Sequence, residues 1–332
     1  VTVLTLLVFL LQTSGSEAPE PLQTALEQSE AFVQEGAFQK ALELLQGIEA
    51  GQAPRDQQRL LHYRLGYLFR KQNELDQAVA WLSRAFSVAH IGQEDLDVRL
   101  RAGNLLVASL LSTQNLEQAA KIWDQLAALY GEQVASTSTG LNTLVLGGQI
   151  ALTKDDLKTA LERLKQGHKH ILAHPDALGS QLILVEQALL KLADRFKLDQ
   201  NYETATLIYQ GLLKGEEASS KSDLSKQLSF MFLVADATFR DGQSLESNHY
   251  YEQALKLATE NKGFELAKGK ALFGIAEVYS SWNNHDEAQP FYKKALDILK
   301  AEMDPDDPEL QQLEAAYIRN KEKAKTDLGE KP

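Results

Sequence analysis

Apolar positions along this chain recur with a helical period, in paired runs separated by short polar breaks. In Tyr63–Phe86, YRLGYLFRKQNELDQAVAWLSRAF, Leu65-Gly66 is followed by Phe69, a break at Asn73, and then Ala78, Leu82 and Ala85. Residues three and four apart share one face of an α-helix, so the segment predicts two amphipathic helices joined by a tight turn. The same constellation returns along the chain. The second-helix triplets are Ala41/Leu45/Ile48, Ala78/Leu82/Ala85, Ala119/Trp123/Leu126, Ala160/Leu164/Gly167, Ala205/Tyr209/Leu212, Ser247/Tyr251/Ala254 and Ala288/Tyr292/Ala295. Their first-helix partners are Ser29/Phe32, Gly66/Phe69, Val107/Leu110, Gly148/Ala151, Ala193/Phe196, Ala235/Thr238 and Ala276/Tyr279. The offset between the two small positions is twelve in all seven. Alanine alone is too common to carry meaning, but a five-position pattern at a constant offset is not a coincidence.

Packing explains the pattern. Antiparallel helices approach closely only where the facing residues are small, and large residues then fill the space beside that contact. Gly66 and Ala78 are expected to face each other, with Phe69 and Leu82 as fillers. The turns fall at Gly36-Ala37, Gln72-Asn73, Gln114-Asn115, Asp155-Asp156, Gln200-Asn201, Asp241-Gly242 and Asn283-Asn284. These are residue types that tolerate left-handed or capping geometry.

On these residues the chain resembles the tetratricopeptide repeat family, whose signature runs large residue, Leu-Gly, Tyr, then Ala, aromatic and Ala. The match is closest in His62–Ala85 and Leu272–Ala295 and extends over roughly Leu22 to Ala301. Two features depart from the family. Successive small positions are 37, 41, 41, 45, 42 and 41 residues apart rather than about 34, and the closing proline is mostly missing. The resemblance implies an all-α fold, a right-handed α-solenoid of helix–turn–helix repeats closed by a C-terminal capping helix. Residues 17–303 hold about seven repeats, and 304–332 hold the capping helix and a frayed tail. That helix starts after Asp304–Pro308, puts Leu310, Leu313, Ala316 and Tyr317 on one face, and leaves Arg319, Lys321, Glu322, Lys323 and Lys325 outward.

Composition sharpens the reading by exclusion. Cysteine is absent, which removes disulfide frameworks, thiolate metal sites and cysteine nucleophiles. The net charge of −12 opposes a nucleic-acid partner, which needs a strong basic patch. Val1–Leu11 is apolar apart from two threonines and is followed by small residues up to Ser16, the pattern of a secretory signal over residues 1–16. Eleven residues are too few to cross a bilayer as a helix, which takes about 20. The cleaved chain is therefore expected to span no membrane and to be periplasmic or secreted.

Candidate chemistry is sparse. His168, His170 and His174 form the one histidine cluster, and His170 and His174 share a helical face at a spacing that can hold zinc. The glutamate a metalloprotease helix requires is missing. The alternative is imidazoles in the last turn of a second helix, and we expect no metal and no cofactor. Gly147-Gly148 sits inside an apolar run, which favours close helix packing over phosphate binding. Asp155-Asp156 and Asp306-Asp307 stand at helix starts as caps. No catalytic constellation emerges, so a non-enzymatic scaffold is expected, binding a protein or peptide partner. The alternatives are a structural assembly subunit, including a homo-oligomer, and a metal-binding or enzymatic protein using His168, His170 and His174.

The resemblance also implies a groove. In the family, side chains two, five, nine and twelve positions into each first helix face the concavity. Carried over, these include Leu60, Tyr63, Tyr67 and Arg70, then Arg101 and Asn104, then Asn142 and Gln149. Later come Gln187 and Asp194, Phe232, Asp236 and Phe239, and Phe273 and Glu277. Tyr63 and Tyr67 stand where the family's carboxylate-clamping lysine and asparagine would be. The expected ligand is a segment gripped by Tyr63, Tyr67 and Asn104, with its basic portion toward the later, acidic positions.

Overall fold

Small residues at the facing positions of most hairpins, with Val107 the exception among the first helices, set the architecture because they let two helices approach closely. The computed structural model describes residues 21–48, 55–87, 93–130, 137–174, 181–219 and 222–327. Residues 1–16, expected to be a secretory signal, and the tail from 328 onward lie outside the described residues. Among the described residues there are fifteen α-helices and no strands, an all-α fold of helix–turn–helix repeats of the α-solenoid class. They are α1 (Pro21–Gln34), α2 (Phe38–Gln46), α3 (Arg55–Lys71), α4 (Leu75–Ser87), α5 (Gln93–Ser112), α6 (Leu116–Tyr130), α7 (Ser138–Thr153) and α8 (Leu157–Ala173). Then follow α9 (Leu182–Leu198), α10 (Tyr202–Glu217), α11 (Leu224–Arg240), α12 (Ser244–Glu260), α13 (Glu265–Ser281), α14 (His285–Glu302) and α15 (Pro308–Asp327). The chain divides into two compact units, Val1–Ile150 and Ala151–Pro332.

The seven turns are built alike. Two residues past the end of each first helix stands a residue with positive φ: Gly36, Asn73, Gln114, Asp155, Gln200, Gly242 and Asn283. The next residue's N–H then reaches back five positions: Ala37 to Phe32 O, Glu74 to Phe69 O, Asn115 to Leu110 O, Asp156 to Ala151 O, Asn201 to Phe196 O, Gln243 to Thr238 O and Asn284 to Tyr279 O, at 2.8–3.0 Å. This is Schellman closure, which satisfies a carbonyl the helix end would orphan. The next helix is capped at once where the sequence allows. Asp156 Oδ1 accepts from Thr159 N–H and Asn201 Oδ1 from Thr204 N–H, both at 3.1 Å.

Gln114 and Gln200 hold the left-handed position without the local hydrogen bonding that makes Asn and Asp tolerable there. For an ordinary L-residue that conformation costs about 1–2 kcal/mol, against about 0.5–1 kcal/mol of extra chain entropy lost by glycine. Changing both, Gln114→Gly and Gln200→Gly, is expected to raise stability by about 1 kcal/mol in all. Urea unfolding measures it, and an unchanged or lowered midpoint would contradict the turn assignment.

Beyond the turns, the small second-helix positions Ala41, Ala78, Ala119, Ala160, Ala205, Ser247 and Ala288 are all 0% exposed. Ser247 occupies the alanine position by donating its hydroxyl to Ala235 O at 2.8 Å, so no buried donor is orphaned. In the first unit the residue seated on Gly66 is Leu82. A Cβ at Gly66 would lie 2.5 Å from Leu82 Cγ. Gly147 takes the edge of the Trp123 indole in the same way, and the indole N–H donates to Thr143 O at 2.6 Å. In the second unit Gly269 receives Leu299, and Gly274 receives the Tyr251 ring. In α15, Leu310, Leu313 and Ala316 are buried and Tyr317 half-buried, while Arg319, Lys321, Glu322, Lys323 and Lys325 are exposed. Asn320, which the helical pattern does not single out, is also buried. It accepts at Oδ1 from His285 Nδ1 (2.9 Å) and donates to His285 O at 2.8 Å.

Candidate binding cleft and its surroundings

Within the first unit, α3 and α5 flank a cleft of about 370 Å³ lined by Tyr67, Arg70, Lys71, Asn73, Leu75, Leu105 and Ser112. Two of these, Tyr67 and Arg70, are predicted groove residues. Helical spacing places Lys71 one turn after Tyr67, and its ammonium lies 5.5 Å from the Tyr67 ring centre and 5.7 Å from that of Phe38. Arg70 is half-buried and donates to Ser109 Oγ at 3.1 Å. Burial pulls its guanidinium below the usual arginine range. Lys71, Leu105 and Ser112 escape a reading based on groove positions alone, although Lys71 could have been found from its four-residue spacing to Tyr67.

The other predicted residues of this unit have different surroundings. Tyr63 is half-buried against the hydrophobic core, and burial pushes its hydroxyl pKa up, opposed by the nearby Arg101. Arg101 is exposed and paired with Asp97 one turn away at 2.8 Å. Asn104 corrects the expectation: it is buried. Its amide donates to Thr139 O at 2.7 Å and its Oδ1 accepts from Thr143 Oγ1 at 2.7 Å. Both ends of the side chain therefore tie α5 to α7 and do not stand free in a groove. Leu60, Asn142 and Gln149 are half-buried.

In the second unit the predicted carboxylates fall into register with tyrosines fifteen residues later. Asp194 accepts from Tyr209 at 3.3 Å. Glu277 accepts from the Tyr292 hydroxyl. Asp236 lies close enough to Tyr251 to raise its hydroxyl pKa, after burial. The three carboxylates differ in charge balance. Asp236 is paired with Lys197 at 3.3 Å and Arg240 at 2.9 Å, whereas Asp194 and Glu277 have no cation within ion-pair distance among the described residues. Phe232 packs against Tyr251 and Phe273 against Tyr292, with ring centres 6.4 and 6.1 Å apart. Both phenylalanines, like Phe239, are half-buried, and Gln187 is exposed.

The histidine cluster separates by burial. His168 is buried under α10, with its ring against Gly215, where an added Cβ would sit 3.1 Å from Cε1. Burial, then the charge of Lys226, holds its imidazole down at about 4. His170 is half-buried, and His174 is exposed at the C-cap of α8. Near His168 lies an ion network the sequence does not announce. The Lys226 ammonium bridges Glu186 at 2.7 Å and Glu216 at 2.8 Å, and Glu216 Oε1 also accepts from Asp223 N–H at 2.6 Å. Both carboxylates are buried, and burial raises the Glu186 pKa. No group of three or more His, Asp or Glu placed to hold a metal ion occurs among the described residues. None of their helices is long and apolar enough to cross a membrane.

Comparison with known proteins agrees with this geometry. Family profiles described as tetratricopeptide repeat match residues 61–89, across α3 and α4, and residues 228–301, across α11 to α14. These include the two segments whose sequence pattern is closest to the repeat signature. No curated protein matches the chain. Among solved structures it is similar to the C-terminal part of a TPR repeat-containing protein from Cytophaga hutchinsonii, with a TM-score of 0.58 and 13% identity over 87% of this chain and 98% of that one. It is also similar to the apo form of RapI, with a TM-score of 0.53 and 13% identity over 84% of this chain and 97% of that one. At such identities the likeness is one of fold.

Proposed function

We propose that this chain is a non-enzymatic scaffold that binds an extended peptide or partner helix on its first-helix face. The observation that carries the reading is the cleft between α3 and α5, whose walls combine the aromatic ring of Tyr67 with the side chains of Arg70 and Lys71. Half-buried aromatics beside polar groups are the composition of recognition surfaces. Repeats of helical hairpins offer such faces generally. In the second unit Asp194 and Glu277 supply acceptors for a basic portion of a partner. The apolar segment Val1–Leu11 supports a setting outside the cytoplasm, in a cell envelope or secreted.

The test is affinity capture from an envelope extract on the immobilised full chain, read by mass spectrometry, followed by titration of the captured partner. Replacing Tyr63 and Tyr67 together by alanine is expected to weaken that partner by about fivefold or more, the effect of losing typical aromatic anchors. Unchanged affinity with an intact circular dichroism spectrum would refute the assignment of this face.

A further inference from the structure

The two cations of the α3–α5 cleft are not neutralised. Among the described residues Arg70 has one hydrogen-bond partner, the neutral hydroxyl of Ser109. Lys71 lies over two aromatic rings. Among the described residues neither makes a salt bridge, and no carboxylate lines the cleft. Lys71 is exposed, but Arg70 is half-buried, in a chain of net charge −12 where most other half-buried cations do find carboxylates: Lys226 holds two, and Lys197 and Lys270 one each. Drawing a guanidinium out of water without a counter-charge is unfavourable, which is why buried charges are normally paired. The depressed pKa of Arg70 has burial as its one cause, with no opposing carboxylate. Beside the cations stand Leu75 and Leu105, an apolar wall poorly suited to a bare hydrated anion. The volume is at the small end of the roughly 300–1,000 Å³ of ligand clefts, enough for one or two side chains.

We propose that this cleft takes an acidic side chain of an extended partner segment, its carboxylate between Arg70 and Lys71 and the neighbouring apolar side chain against Leu75 and Leu105. The inference rests on the scaffold reading and adds the chemistry of the segment bound at this end. Guanidinium and ammonium donors form charge-assisted hydrogen bonds to a carboxylate, and an incoming carboxylate would supply the counter-charge the fold omits.

The probe is a fluorescein-labelled peptide with a Glu-Leu-Glu-Leu-Glu centre and Gly-Ser flanks, acetylated and amidated so that only side-chain carboxylates are present. Its counterpart carries Gln for every Glu. Fluorescence anisotropy with the full chain is expected to show the Glu peptide bound at least about tenfold tighter than the Gln peptide, a preference lost in Arg70→Gln. Because Arg70→Gln also removes the Ser109 contact, exposed Lys71→Gln serves as a second variant and is expected to weaken the Glu peptide alone. Equal binding of the two peptides, or a preference unchanged in both variants, overturns the proposal. So does full displacement by millimolar inorganic phosphate, which would make this a small-anion site. If the peptides are not distinguished while the Tyr63 and Tyr67 replacement still weakens the captured partner, this proposal falls and the scaffold reading stands.

Discussion

Replacing Gly147 with alanine is expected to destabilise the first unit by about 2–4 kcal/mol. The new Cβ would lie 2.5 Å from Trp123 Cζ2, and a rigid indole cannot yield as the end of a flexible chain would. Two costs follow when the ring is displaced. Overpacking costs about 1–3 kcal/mol. Pulling the indole N–H off Thr143 O leaves a part-buried donor unsatisfied, about 1–3 kcal/mol. Against these, alanine gains at most about 1 kcal/mol over glycine in a helix, so the steric terms win. Urea unfolding of the single variant measures the loss. Combining Gly147→Ala with Trp123→Leu removes the clash, so the two changes should cost less together than their sum. Strict additivity would show that the indole does not seat on Gly147.

Acidification is expected to weaken the second unit through His168. Its folded pKa, about 4, lies below the ordinary value of 6.5. The unfolded chain therefore binds more protons between those values, and stability falls as pH falls across that window. The gap between the two values corresponds to roughly 3 kcal/mol when the window has been crossed. Glu186 acts with the opposite sign. Its carboxyl is raised by burial, so it contributes stability at low pH that is lost as pH rises through its folded value. A comparison of wild type with His168→Gln cancels this contribution. Between pH 7.5 and 4 the wild type is expected to lose roughly 3 kcal/mol more than the variant, measured from urea unfolding at each pH. Parallel profiles would mean that the imidazole is not held neutral by its burial.

The parts of this architecture that were legible in the sequence are those set within some fifteen residues. The offset of twelve from Ala193 to Ala205, the turn at Gln200-Asn201 and the filler Tyr209 all lie inside one hairpin, and helical period and turn chemistry suffice to place them. What was hidden depends on side chains about forty residues apart. Asn104 stands at a groove position by spacing, but the Thr143 hydroxyl arrives from the next first helix and draws it inward. Lys226 meets Glu186 from a helix forty residues earlier, and no local pattern marks that pair. The candidate site was half visible for the same reason. Tyr67 and Arg70 share a helix and follow from its register, whereas Leu105 and Ser112 reach the cleft from α5 only once the two helices are packed.

The uniform closure of the seven turns also acts as a ruler. Since the turn carbonyl is always that of Phe32, Phe69, Leu110, Ala151, Phe196, Thr238 or Tyr279, the hairpins cannot lengthen at that end without breaking the bond back to it. The spacings of 37 to 45 residues between successive small positions must then be absorbed entirely at the opposite ends, where one hairpin hands the chain to the next. Those junctions are the places where such a chain can accept new sequence, and with it new specificity, while every hairpin keeps its own geometry.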